Sequence, residues 1–136
     1  MTFVVDASVV CKSVFRQAGH EVARQLFATD EAAIAPELII AEVCYAAWRL
    51  TVSGEINPAH ASTAITSMRD VIDDFIPLNG LAERALVIAR SLGHPAYDCF
   101  YIALAEQERI RFVTCDKRLL GAVARTEWAK LVQALE

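Results

Sequence analysis

The chain has no apolar run approaching the ~20 residues that a membrane-spanning helix needs, no Cys-x-x-Cys pair and no surplus of basic charge. Each absence excludes something. Without the long run, no membrane span is expected. The four cysteines, Cys11, Cys44, Cys99 and Cys115, stand apart, and none has a histidine at a zinc-site spacing. They read as small reduced core thiols of a cytoplasmic chain, and zinc is disfavoured. The N-terminal MTFVVDASVV lacks a basic leader region and a cleavage site, so it is expected to be folded structure. Thirteen Lys and Arg against 17 Asp and Glu leave a net charge of −4. That argues against a broad electrostatic nucleic-acid binder. It leaves room for an enzyme that meets phosphates through a metal ion. No repeat, low-complexity tract or linker interrupts the chain.

What is present is apolar. At 136 residues the chain suits one compact domain spanning 1–136, large enough to bury roughly two-thirds of its unfolded surface. Hydrophobic residues make up 55% and the mean hydropathy is +0.34. That is high for a domain with so much surface, and it predicts apolar area covered by another chain.

Strand and helix patterns alternate. TFVV (2–5) reads as a strand, followed by helices near 7–15 and 20–28. Ala32 to Ala35 is a second strand. Pro36 is placed to open a helix that ELIIAEVCYAAWRL carries to about residue 51. Gly54 and Pro58 break it, and a helix over about 59–71 follows. FIPL (75–78) reads as a strand that Pro77 puts at an edge or makes short. LAERALVIARSLG is an amphipathic helix stopped by Gly93. AYDCFYIALAEQERI is a helix, RFVTC a strand, KRLLGAVA a short helix and KLVQAL a final strand. Alternation of this kind predicts an α/β fold with a mostly parallel sheet of four to five strands, whose ligands sit beyond the strands' carboxyl ends.

Four acids then need an explanation. Asp6 ends TFVV and Asp116 ends FVTC, each before a helix. Taken singly, each suits a helix N-cap. Glu42 lies mid-helix with Leu38, Ile39, Tyr45 and Ala46 as its neighbours at three and four residues. None of these is basic, and a lone carboxylate on a buried face costs several kcal/mol. Asp98 opens a helix that is apolar all round. The following turn, Tyr101 and Ile102, supplies no cation. If the four converge they repel, at roughly 3 kcal/mol for a pair ~5 Å apart at an effective dielectric of about 20. A divalent cation would relieve this, and oxygen ligands suit Mg²⁺ or Mn²⁺. Ser8 and Thr114, two residues from Asp6 and Asp116, can orient a carboxylate or a water. Lys12 and Arg16, one turn apart on the first helix, and Lys117 and Arg118 after the last acid are candidates to meet RNA phosphates, although ordinary surface charge explains them equally well. His20, His60 and His94 show no ligand spacing and are expected at the surface or at caps.

With Asp6-x-Ser8, Glu42, Asp98 before YIALA, and VTCDKRL in that order, the chain resembles the PIN-domain family, and within it the VapC-type toxins of toxin–antitoxin pairs. The resemblance implies a three-layer α/β/α fold and a Mg²⁺- or Mn²⁺-dependent endoribonuclease. It implies that Asp6, Glu42, Asp98 and Asp116 form the catalytic, metal-holding quartet, with Thr114 and Ser8 in support. It also implies a homodimer restrained by an antitoxin protein. Three other readings fit the residues less well. A phosphatase of the haloacid dehalogenase type needs an Asp where Ser8 stands. A receiver domain needs clustered acids near the first strand, where only Asp6 is present. A PIN-like module could also bind RNA or protein without cutting.

Overall fold

The computed structural model describes all 136 residues. In chain order the elements are β1 (Thr2–Val5), α1 (Ala7–Val14), α2 (His20–Phe27), β2 (Ala32–Pro36), α3 (Leu38–Val52), α4 (Pro58–Val71), β3 (Asp74–Ile76), α5 (Ala82–Leu92), α6 (Ala96–Glu108), β4 (Phe112–Thr114), α7 (Lys117–Val123) and β5 (Val132–Ala134). The five strands form one sheet in the order β3-β2-β1-β4-β5. Every pairing is parallel, with Phe3 opposite Ala33 and Val5 opposite Val113.

β1 is central because it is apolar on both faces: Phe3, Val4 and Val5 are fully buried. The chain first builds outward on one side, through β2 to β3, and then returns across β1 to build β4 and β5 on the other. Right-handed crossovers therefore place α1 to α4 over one face and α5 to α7 over the other, giving three layers. α6 packs on β1, β2 and β4 and buries a run from Tyr101 to Ala105. This is why its sequence is apolar all round. The strand order reverses between β1 and β4, and a crevice opens beyond their carboxyl ends at such a point.

The structure shifts several sequence expectations. Pro36 does not open α3; it ends β2, paired with Ile76, and the helix begins at Leu38. The preceding strand continues one residue further because Glu37 N–H still bonds to the Ile76 carbonyl at 2.8 Å. Pro77 lies just past β3, which is the edge strand its missing donor called for. α1 stops at Val14, and Arg16 has φ +52° in the turn beyond it. Lys12 and Arg16 thus do not share a helical face. Gly93 closes α5 at φ +61°, a left-handed position that favours glycine. Of the exposed large apolar residues, Tyr45, Trp48 and Val52 lie on α3, Leu86 and Val87 on α5, and Tyr97 on α6. No helix is long and apolar enough to cross a membrane.

Candidate active site

Asp6 and Thr114 lie at the carboxyl ends of the adjacent strands β1 and β4, where Asp6 N–H bonds to the Val113 carbonyl at 3.0 Å. Asp6 precedes α1 but does not cap it. Its Oδ2 instead accepts from Ser8 Oγ at 2.7 Å and from Thr114 Oγ1 at 2.6 Å. The Ser8 oxygen accepts from Cys115 N–H at 3.0 Å, and the Thr114 oxygen accepts from Asp116 N–H at 3.0 Å. Hydroxyls from the first turn of α1 and the end of β4 thus stitch β1 to β4 around one buried carboxylate.

Glu42 and Asp98 approach from the helices. Glu42, on α3, accepts a 2.5 Å hydrogen bond from the hydroxyl of Tyr101 on α6. Tyr101 is fully buried, and its ring stacks on Phe112 of β4 at 5.3 Å between centroids. Asp98, one turn before Tyr101, meets His94 Nε2 at 2.6 Å. The His94 side chain is 7% exposed and bonds a carboxylate, not a helix end, so a cationic partner does exist near Asp98 when the ring is protonated. Both Tyr101 and His94 escaped the sequence reading. For Tyr101 a signal was present: a buried tyrosine hydroxyl needs a partner.

Electrostatics ties three of the acids together. Burial pushes the Asp6 carboxyl up from 3.8 to about 6; the Thr114 and Ser8 hydroxyls pull against this, while the Asp98 charge adds to it. Burial also raises Glu42 from 4.5 to about 7; the Tyr101 hydrogen bond opposes this, and the charges of Asp6 and Asp98 reinforce it. No lysine or arginine is ion-paired with any of the three. Asp116 stands apart. Its Oδ1 accepts from Arg118 N–H at 2.9 Å and Leu119 N–H at 3.2 Å and so caps α7. Charge coupling thus links Asp6, Glu42 and Asp98, while Asp116 is joined to Asp6 through Thr114 and held by its helix. As the side chains stand, no three His, Cys, Asp or Glu residues form a ready ligand set.

The donor chemistry nevertheless suits a hard cation. Glu42, Asp98 and Asp116 each give one oxygen to a protein donor and keep the other free of one. Soft donors are poor here: burial, with the charges of Asp6 and Glu42, pushes the nearby Cys11 thiol up to about 12. Around this edge, Lys12 and Lys117 line a cavity of about 390 Å³ together with Thr114 and Cys115. Arg16 lines a different cavity, with Arg24 and His60. Arg118 is exposed in the first turn of α7.

A parallel sheet with buried acids over its switch point is the architecture of a PIN domain, and that family's pattern matches residues 3–125. The chain belongs to the PIN-domain family. Ribonuclease VapC9 of Mycobacterium tuberculosis is 33% identical over 116 residues, 85% of this chain and 87% of that protein. Among solved structures, PAE2754 from Pyrobaculum aerophilum aligns with a TM-score of 0.70 at 24% identity, over 99% of this chain and 84% of the other. VapBC2 from Rickettsia felis, bound to a DNA fragment from their promoter, aligns at 0.68 and 10% identity over the whole of both chains. At those identities the structural likeness shows the fold alone.

Proposed function

We propose that the chain is a divalent-metal-dependent endoribonuclease, the toxin of a toxin–antitoxin pair, acting in the cytoplasm as one domain spanning residues 1–136. The observation that carries this reading is the mutual repulsion of Asp6, Glu42 and Asp98 near the carboxyl ends of β1 and β4, with no lysine or arginine paired to them. Kinship with a protein named as a VapC ribonuclease supports it.

In this reading Asp6, Glu42, Asp98 and Asp116 hold Mg²⁺ or Mn²⁺. Such an ion supplies Lewis acidity toward the phosphoryl oxygens and lowers the pKa of a coordinated water. The protein supplies the rest. Ser8 and Thr114 fix the Asp6 carboxylate, and Tyr101 fixes Glu42. Burial and the charges of Asp6 and Asp98 raise the Glu42 carboxyl to about 7 without a cation; a bound cation would draw it down and favour the ligating carboxylate. In-line attack by water leaves a 5′-phosphate and a 3′-hydroxyl. Lys12 and Lys117, on the cavity beside Thr114, meet flanking phosphates. Arg118, and more remotely Arg16, are assigned the same duty.

The partners in this reading are an antitoxin protein and a second copy of the chain. Trp48 at 58% exposure and Val52 at 68%, one turn apart on α3, offer the apolar surface that the composition predicts to be covered. Incubation of total RNA with the purified chain tests the reading: cutting appears with Mn²⁺ or Mg²⁺, stops with EDTA and is absent in Asp6→Asn. RNA binding without any cutting in Mn²⁺ would favour a binding module instead.

A further inference from the structure

Two tyrosines beside the acids face solvent instead of the core. Tyr97, the residue before Asp98, is 67% exposed, and Tyr45, one turn after Glu42, is 60% exposed. Neither hydroxyl is used by a hydrogen bond within the protein, unlike that of Tyr101. Both tyrosines line one cavity of about 650 Å³, together with Ser8, Cys11, Leu38 and Glu42. That volume lies within the usual range for small-ligand sites, about 300–1,000 Å³. The cavity shares Ser8 and Glu42 with the acidic site, so whatever fills it lies against the acids.

We propose that this cavity is a base subsite, in which an unpaired nucleobase next to the scissile phosphate stacks on Tyr45 and Tyr97. The proposal rests on the endoribonuclease reading and adds to it the place where the base beside the cut is held. The walls decide the occupant. They carry no lysine or arginine, and their one charged group is the Glu42 carboxylate, so a phosphate is repelled. A nucleobase is neutral and flat, and its faces suit apolar walls and tyrosine rings. The cationic groups instead border the other cavity, with Lys12 and Lys117 beside Thr114. Base and backbone are thereby assigned to different sides of the acids. A base in a duplex cannot enter, because its faces are occupied by its neighbours.

The test is steady-state cleavage of a fluorescent single-stranded oligoribonucleotide in Mn²⁺. Tyr97→Ala and Tyr45→Ala each raise KM about 10-fold, the effect expected for loss of one stacking contact. Tyr97→Phe and Tyr45→Phe, which keep the ring, stay near the parent value. Leu86→Ala, which removes an exposed apolar side chain from α5, serves as a control and changes nothing. An oligonucleotide lacking the base beside the cut is also a poorer substrate for the parent, and Tyr97→Ala makes it no worse. A hairpin that pairs the cut site resists cleavage. Unchanged KM in the alanine variants, or multiplied effects of Tyr97→Ala and the missing base, or equal cutting of the hairpin, overturns the subsite while leaving the nuclease standing. Failure of the parent chain to cut any RNA in Mn²⁺ overturns both.

Discussion

Replacing Asp6 by asparagine separates the cost of the site from its use. The carboxyl is 5% exposed, and its pKa rises from 3.8 to about 6 on folding. Between those two values the folded state binds more protons than the unfolded state, so stability falls as pH rises. Above pH 6 the loss is complete, and about two units at 1.36 kcal/mol each make it ~3 kcal/mol. Asn keeps an oxygen for Ser8 and Thr114 but buries an amide N–H₂ group, which offsets part of that gain by about 1–2 kcal/mol. In EDTA at pH 8, Asp6→Asn should therefore be more stable than the parent by about 1–2 kcal/mol, which is several degrees in Tm. The amide's cost does not depend on pH, whereas the carboxylate's does. The advantage should thus shrink by about 1.5 kcal/mol between pH 8 and pH 5. Saturating Mn²⁺ should reverse the order: at 100-fold over Kd it stabilises the parent by about 2.7 kcal/mol and the variant far less. Thermal melts at two pH values, with and without Mn²⁺, read all of this. A variant less stable than the parent by the same amount at both pH values would refute the reasoning, because Asp6 would then be held by its hydrogen bonds at no electrostatic cost.

The other acids and their supports give different signatures. Asp116→Ala should lose about 1 kcal/mol in a denaturant melt as the α7 cap disappears. Asp116→Asn keeps the capping oxygen and most of the stability but should restore none of the cutting. Tyr101→Phe removes the hydrogen bond that lowers the Glu42 pKa. The ascending limb of its pH–rate profile should therefore move to higher pH, with a stability loss of about 1 kcal/mol. Trp48→Lys, on the exposed face of α3, should leave the melting temperature within a few degrees and shift the sedimentation profile toward monomer.

Much of this was legible in the sequence because burial writes itself into composition. β1 and the Tyr101–Ala105 stretch of α6 are apolar because each is buried, and the strand–helix alternation follows from the same pattern. Pro77 marked its strand as an edge or a short one, and β3 is both, ending after three residues at Ile76. Pro36 misled because a missing N–H suits the first turn of a helix and a strand end equally; the choice was made by Ile76, forty residues away. Glu42 and Asp98 stood out as carboxylates in apolar helices. What supports them did not: Tyr101 reaches Glu42 across fifty-nine residues. His94 lies four residues before Asp98 but outside α6, where helical spacing does not relate the two. Asp6 and Asp116 look alike locally, yet one is a cap and the other is not. That difference arises from Thr114 and Ser8, whose hydroxyls meet over one carboxylate only once β1 and β4 are side by side.

The Thr114–Asp6 bond joins residues 108 positions apart. Until synthesis has passed β4, the central strand lacks one neighbour and its terminal carboxylate lacks the hydroxyl that fixes it. Long-range closures of this kind form late. A growing polypeptide still threaded through the ribosome therefore carries three of its four acids without the frame that aims them.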